Sequence, residues 1–134
     1  MTEPLVHETL YRVPFCDTDA IGIVYYANYL KYFERAREEL FEEHIGSLAE
    51  LNRRGEVYVV VEMKCSFRAP ARHGDKLVIE STLRIASPFR AVFRQEALRL
   101  PDRELLVRAD VEVACLDADG QLQELPEALV ELAG

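Results

Sequence analysis

A chain of 134 residues with 49% hydrophobic and 30% charged side chains is expected to form one globular domain over 1–134, and a net charge of −8 argues against a general nucleic-acid binder. Cys16, Cys65 and Cys115, an odd number with no CxxC spacing, favour a reduced cytoplasmic protein in which each thiol is a small buried apolar group, over a disulfide framework or a zinc site. Residues 1–10, MTEPLVHETL, lack the basic start and apolar run of a signal peptide, and no apolar run approaches the roughly 20 residues of a membrane span.

Met1 to Glu8 reads as a loose end, and Thr9 to Phe15 as a short strand that Pro14 pushes towards a sheet edge. The stretch CDTDAIG follows, with Asp17 and Asp19 flanking one residue and Gly22 three residues on. A helix is expected from Ala27 or Asn28, with Asn28 as N-cap, Leu30, Phe33, Ala36, Leu40 and Phe41 on its apolar side, and Gly46 as its stop. Ser47 to Arg53 reads as a second short helix closed by Gly55.

Beyond Gly55 the period changes to two. Val57 to Phe67 places Val57, Val59, Val61, Met63, Cys65 and Phe67 on one face, the clearest strand signal in the chain. RAPARHGD (68–75) reads as a turn. Strands are expected over Lys76 to Ile85, Phe89 to Leu100 and Glu104 to Leu116, the second less cleanly alternating. DADG (117–120) is a turn signal, and Pro126 to Ala133 a terminal helix. A helix followed by a run of long strands joined by short turns indicates an α+β fold with an antiparallel sheet of about five strands wrapped around one long helix.

Taken alone, a DxD before a glycine is turn chemistry, because Asp side chains bond nearby backbone N–H groups. A hard cation is the other use of such a pair, but no further carboxylate or histidine stands at matching spacing, so no metal is expected. A helix start just downstream offers unpaired N–H groups that suit a developing negative charge. GxSxG is absent, which removes the α/β-hydrolase triad from consideration.

DTDAIGIVYYANYLKYFERAREELF resembles the 4-hydroxybenzoyl-CoA thioesterase group of hotdog-fold enzymes, including the Tol-Pal-associated acyl-CoA thioesterases. The group's motif is close to D-x-D-x-x-G-x-V-x-x-x-N-Y, and Asp17, Asp19, Gly22, Val24, Asn28 and Tyr29 match it. FRAPARHGDKLVIES and LPEALVEL are weaker likenesses, so the resemblance spans nearly the whole chain. It implies hydrolysis of an acyl-CoA thioester with Asp19 as the catalytic carboxylate, acting as nucleophile through a mixed anhydride or as general base for water, and Asp17 as structural. It implies that the Tyr26 backbone N–H polarises the carbonyl; some members carry histidine where this chain has Tyr26.

The resemblance also implies substrate contacts from Gly22, Val24, Asn28 and Tyr29, and a basic residue for the coenzyme A phosphates near the start of the fourth strand, where Arg90 stands, with Arg68 and Arg72 as alternatives. A position that is usually basic in the 4-hydroxybenzoyl-specific members is Pro88 here, which weakens transfer of that substrate. No cofactor beyond the coenzyme A thioester is implied. Homodimers or homotetramers with sites between subunits are expected, the Val57–Phe67 strand lying at the dimer edge and Glu62 and Met63 reaching the neighbour's pocket. Two other functions compete: a non-catalytic acyl-CoA-binding or assembly module, and a hotdog dehydratase. The dehydratase would need a histidine in the motif region, and Cys16 to Tyr29 has none.

Overall fold

A computed structural model describes residues 5–134. It contains, in chain order, β1 (Val6–Arg12), a single 3-10 turn (Phe15–Asp17), α1 (Asn28–His44), α2 (Leu48–Arg53), β2 (Val57–Phe67), β3 (Lys76–Ser87), β4 (Arg90–Arg99), β5 (Glu104–Leu116), β6 (Leu122–Gln123) and α3 (Glu127–Leu132). The strands form one curved antiparallel sheet in the order β1-β3-β4-β5-β2, and the two-residue β6 adds to β5. The expected α+β architecture holds, with a sixth short strand that the sequence reading did not contain.

The sheet's inner face receives α1, which buries Tyr29, Tyr32, Phe33, Ala36, Leu40 and Phe41. Full burial of each large apolar side chain contributes about 1.5–3 kcal/mol, so this one face supplies much of the core. The expected stripe needs one correction: Leu30 is exposed, and Tyr29 and Tyr32 occupy the core positions instead. Their rings are apolar bodies, and each hydroxyl finds a partner: Tyr29 Oη accepts from the Ala71 N–H at 3.2 Å and Tyr32 donates to Asp17 Oδ2 at 2.8 Å. A leucine there would gain nothing from those partners.

One inward polar group clamps helix to sheet. Gln95 on β4 is fully buried; its amide nitrogen donates to the Phe33 carbonyl at 2.9 Å and to Ser81 Oγ at 3.0 Å. Its oxygen accepts from Arg37 Nη1 at 2.9 Å. Burial pulls the Arg37 guanidinium below its usual range, with Glu34 opposing. Gln95 is the reason β4 alternates poorly in sequence.

Two strands depart from simple alternation. In β2 the register slips between Val60 and Glu62, so Tyr58 joins Met63 and Cys65 against the core, while Val60 and Val61 are exposed. The expected one-face set of Val57 to Phe67 is therefore split by a bulge, which exchanges the two faces at that point. In β5 the register slips where Leu98 pairs with Leu105, leaving Leu106 as the extra, buried residue. The Leu106 carbonyl accepts from the Arg68 N–H at 2.7 Å and the Ala69 N–H at 3.1 Å, and so anchors the chain leaving β2. β1 begins earlier than expected and ends at Arg12. Its inner face carries His7 and Thr9, and its outer face the exposed Val6 and Leu10, an inverted polarity that hides it from a hydrophobic pattern. The part of the expected loose end at residues 1–4 lies outside the described residues; Val6 to Glu8 are strand.

No helix among the described residues is long and apolar enough to cross a membrane. Cys115 is buried and Cys65 partly so, but Cys16 is exposed, which corrects the expectation for that thiol.

Candidate active site

The CDTDAIG stretch closes into a tight loop. The Asp19 N–H donates to the Ile23 carbonyl at 2.9 Å, the Gly22 N–H to the Asp19 carbonyl at 3.0 Å, and Asp19 Oδ1 accepts from the Ile21 N–H at 3.0 Å. Gly22 sits at φ +83°, a left-handed conformation that any side chain would strain. Asp19 is exposed. One of its oxygens serves the turn; a carboxylate has about four acceptor sites, so Oδ2 remains open to a ligand or water.

Asp17 points the other way. Its Oδ2 accepts from Tyr32 at 2.8 Å and Tyr11 at 3.3 Å, and its backbone oxygen accepts from the Asn28 side-chain amide at 2.9 Å and the Tyr25 N–H at 3.0 Å. Burial, then the Asp17 hydrogen bond and charge, push the Tyr32 phenol far above its ordinary range; burial and Asp17 raise Tyr11 as well. Asn28 is thus a strap across the loop, not the helix N-cap expected of it. Ala27 holds the cap position, with no side-chain cap.

The 68–75 segment latches the loop to the sheet. The Val24 N–H donates to the Ala71 carbonyl at 2.8 Å, Ile23 and Arg72 form a bridge, and at the turn's base the Val13 N–H donates to the Asp75 carbonyl at 3.0 Å while the Val13 carbonyl accepts from the Gly74 N–H at 2.9 Å. A methyl group at Gly22 would meet the Arg72 guanidinium at 3.9 Å. His73 packs edge-on against Phe15, with ring centroids 5.6 Å apart.

Between these segments lies an apolar cleft of about 310 Å³. Ile23, Val24, Tyr26 and Tyr29 line one side and the 67–70 strand end the other. The Tyr26 ring is largely exposed and stands edge-on to Phe67 at 6.0 Å. At the helix start the N–H groups of Asn28, Tyr29 and Leu30 already donate to the carbonyls of Tyr25, Tyr26 and Ala27. Among the described residues, the N–H groups of Tyr26 and Ala27 have no acceptor. These two unbonded donors stand immediately before the helix proper, not within it.

The fold brings Asp19, Gly22, Val24, Tyr26, Asn28 and Tyr29 to one corner. It does not bring Glu62 or Arg90 there within one chain. Glu62 lies on the outer sheet face beside Lys64, Arg84 and Glu112. Arg90 starts the strand whose other end, Arg99, donates to the Pro70 carbonyl at 3.0 Å, so Arg90 is roughly 30 Å from that end at the usual rise per residue. The sequence reading missed Phe67, Ala69 and Pro70 as cleft walls, because RAPARHGD signals a turn and nothing in it signals what the turn leans on.

Residues 13–132 match the family model described as the thioesterase-like superfamily. The chain belongs to the thioesterase-like superfamily. It is 35% identical over 128 residues to the acyl-CoA thioester hydrolase YbgC of Escherichia coli, a match covering 92% of each chain. Among solved structures it is similar to the 4-hydroxybenzoyl-CoA thioesterase of a Pseudomonas species, with TM-score 0.85 and 27% identity over 95% of this chain and 98% of that one. It is also similar to the 1,4-dihydroxy-2-naphthoyl-CoA thioesterase of Synechocystis, with TM-score 0.85 and 26% identity over 92% and 91%. This member of the superfamily has the hotdog fold and is a thioesterase.

Proposed function

We propose that this thioesterase hydrolyses an acyl-CoA thioester to the free acid and coenzyme A, with Asp19 as the catalytic carboxylate. The observation that carries this reading is the pairing at one corner of an exposed carboxylate, half of whose acceptor capacity is unused, with two unbonded backbone N–H groups over an apolar cleft. The acyl group enters the cleft against Val24, Tyr29 and Phe67. The Tyr26 N–H, with that of Ala27, receives the carbonyl oxygen as it gains negative charge; a pre-placed donor of this kind is typically worth a few kcal/mol in the transition state. The Tyr26 side chain, exposed beside Phe67, flanks the opening, and Gly22 lets the loop backbone approach the thioester.

A thioester has a good leaving thiolate, so two routes are open to Asp19. As nucleophile, its oxygen bonds to the acyl carbon, the C–S bond breaks, and water then cleaves the mixed anhydride. As general base, it takes a proton from water while that water attacks. Single turnover in 18O-labelled water separates them, because an anhydride hydrolysed at the aspartyl carbon leaves label in the enzyme.

The coenzyme A phosphates are proposed to meet Arg68 at the cleft wall and Arg72 beside Gly22, with Arg90 and Glu62 supplied by a second copy. Two observations support assembly: β2 is an edge strand, and its Val60, Val61 and Phe67 are exposed. Edges of this kind are usually covered. The arrangement proposed is a homodimer or homotetramer with sites between subunits.

Thiol release from a panel of short, long and aromatic acyl-CoAs tests the function. Asp19→Asn is expected to lower turnover about 10²–10⁴-fold, the usual range for a positioned acid or base, with an unchanged melting temperature. Undiminished turnover in that variant would remove Asp19 from the mechanism. An unaltered protein that binds acyl-CoA yet releases no thiol from any of them would be the binding module instead.

A further inference from the structure

At the far end of α1, away from the cleft, three side chains converge that the thioesterase reading does not use. His7 on β1 is 5% exposed, and its Nδ1 lies 3.2 Å from Glu43 Oε2. The His44 ring stands edge-on to it, centroids 5.9 Å apart. His7, Glu43 and His44 each present one donor atom within 4.8 Å of the others. We propose that these three residues form a binding site for a divalent transition metal of the zinc class, tying the edge strand β1 to the last turn of α1.

The ligand chemistry fits. Two imidazole nitrogens and a carboxylate oxygen are a common protein donor set for tetrahedral Zn²⁺, with bonds of about 2.0–2.2 Å and donors therefore about 3.4 Å apart. The His7–Glu43 pair already has that separation. Glu43 and His44 are exposed, so their rotamers are free to close the remaining distance. Water takes the fourth position.

A second observation points the same way. His7 Nε2 is buried with no hydrogen-bond partner, and Glu39 Oε1 stands 3.6 Å from it. Among the described residues the ring thus has a carboxylate facing each nitrogen and no other partner on Nε2. A neutral imidazole carries one N–H, so one lone pair would confront a carboxylate. A cation on Nδ1 removes the conflict: Nε2 keeps its proton and turns it to Glu39, the carboxylate–histidine–metal arrangement common around bound zinc. The sequence reading expected no metal because it sought partners for Asp17 and Asp19; His7 meets Glu43 and His44 only through tertiary packing.

Untagged protein stripped with a chelator is titrated with zinc chloride by calorimetry, and bound metal per chain is counted by mass spectrometry. One Zn²⁺ per chain and a melting temperature that rises with added Zn²⁺ are expected. Glu43→Gln and His44→Ala, both at exposed positions, should each weaken binding about tenfold or more and abolish the rise, while His73→Ala keeps both. Cobalt substitution should give the intense visible bands of a tetrahedral site, lost in His44→Ala. Wild-type protein that takes up no Zn²⁺, or Glu43→Gln and His44→Ala variants that bind it as tightly as wild type, would overturn the proposal.

Discussion

Two turns in this protein share a backbone and differ in everything around it. In D-A-I-G, residues 19–22, the aspartate N–H donates to the carbonyl four residues on, the glycine N–H returns to the aspartate carbonyl, and the glycine has φ +83°. In D-A-D-G, residues 117–120, Asp117 donates to the Gln121 carbonyl at 2.8 Å, the Gly120 N–H returns to the Asp117 carbonyl at 3.0 Å, and the glycine has φ +79°. Each aspartate also accepts from the N–H two residues on. Asp117 has a further acceptor bond from the Gln121 N–H at 2.9 Å and joins β5 to β6 at the surface. Among the described residues Asp19 has no such second bond, and its turn abuts an apolar cleft and the two unbonded N–H groups that precede α1. The local motif therefore specifies a turn both times. Only tertiary placement makes one of them a candidate for chemistry.

The sharpest way to break that comparison is to treat both aspartates alike. Asp117→Asn should leave thiol release at the wild-type level, against the loss of about 10²–10⁴-fold expected for Asp19→Asn. Equal effects on turnover would mean that the turn itself, and not the carboxylate's surroundings, is what matters. Asp17→Ala comes next. It strips the Tyr32 hydroxyl of its charged acceptor inside the core, and it should cost about 3 kcal/mol in urea denaturation, whereas Asp19→Asn should cost almost nothing.

The same tyrosine predicts an alkaline effect. Tyr32 is raised when folded, so its contribution to stability is complete below its unfolded pKa of about 10 and is lost as pH climbs above that, where the unfolded chain releases the proton and the folded chain does not. Tyr32→Phe should flatten the fall in stability above that pH by one proton's worth; an unchanged slope would show that Tyr32 ionises equally in both states. The smallest effect is the glycine pair. Gly22→Ala and Gly120→Ala should each cost about 1–2 kcal/mol for the left-handed backbone. Only Gly22→Ala should also lower turnover, since its methyl group faces Arg72 and a methyl group at Gly120 meets nothing within 4 Å.

Much of the fold was legible because period and punctuation agreed: α2 falls at Leu48–Arg53, within the expected Ser47–Arg53 span, and β3 and β5 fall close to where alternation put them. What escaped was set by partners distant in sequence. The slip at Val60–Glu62 exchanges the faces of β2 to suit β5, and Gln95 is inward because Phe33, Ser81 and Arg37 satisfy it there. At the candidate site, the motif located the loop and resemblance chose between its carboxylates. The reason Asp17 turns inward is two tyrosine hydroxyls, one on β1 and one on α1, which no local pattern places beside it.

The pairing of β1 with β3 has a consequence for how the chain is made. His7 pairs with Ser81 and Arg12 with Lys76, so β1 is synthesised well before α1 and β2 and waits for both to be made before its partner exists. The loop carrying Asp19 rests on the Ala71 carbonyl and Asp75, which emerge later still than α1. On a ribosome the helix and its charged face precede the surface that will hold the reactive corner, and closing so long a loop is entropically slow. The corner is therefore among the last parts to acquire its shape, and a nascent chain truncated before β3 should carry the whole DxD motif and have no thioesterase activity.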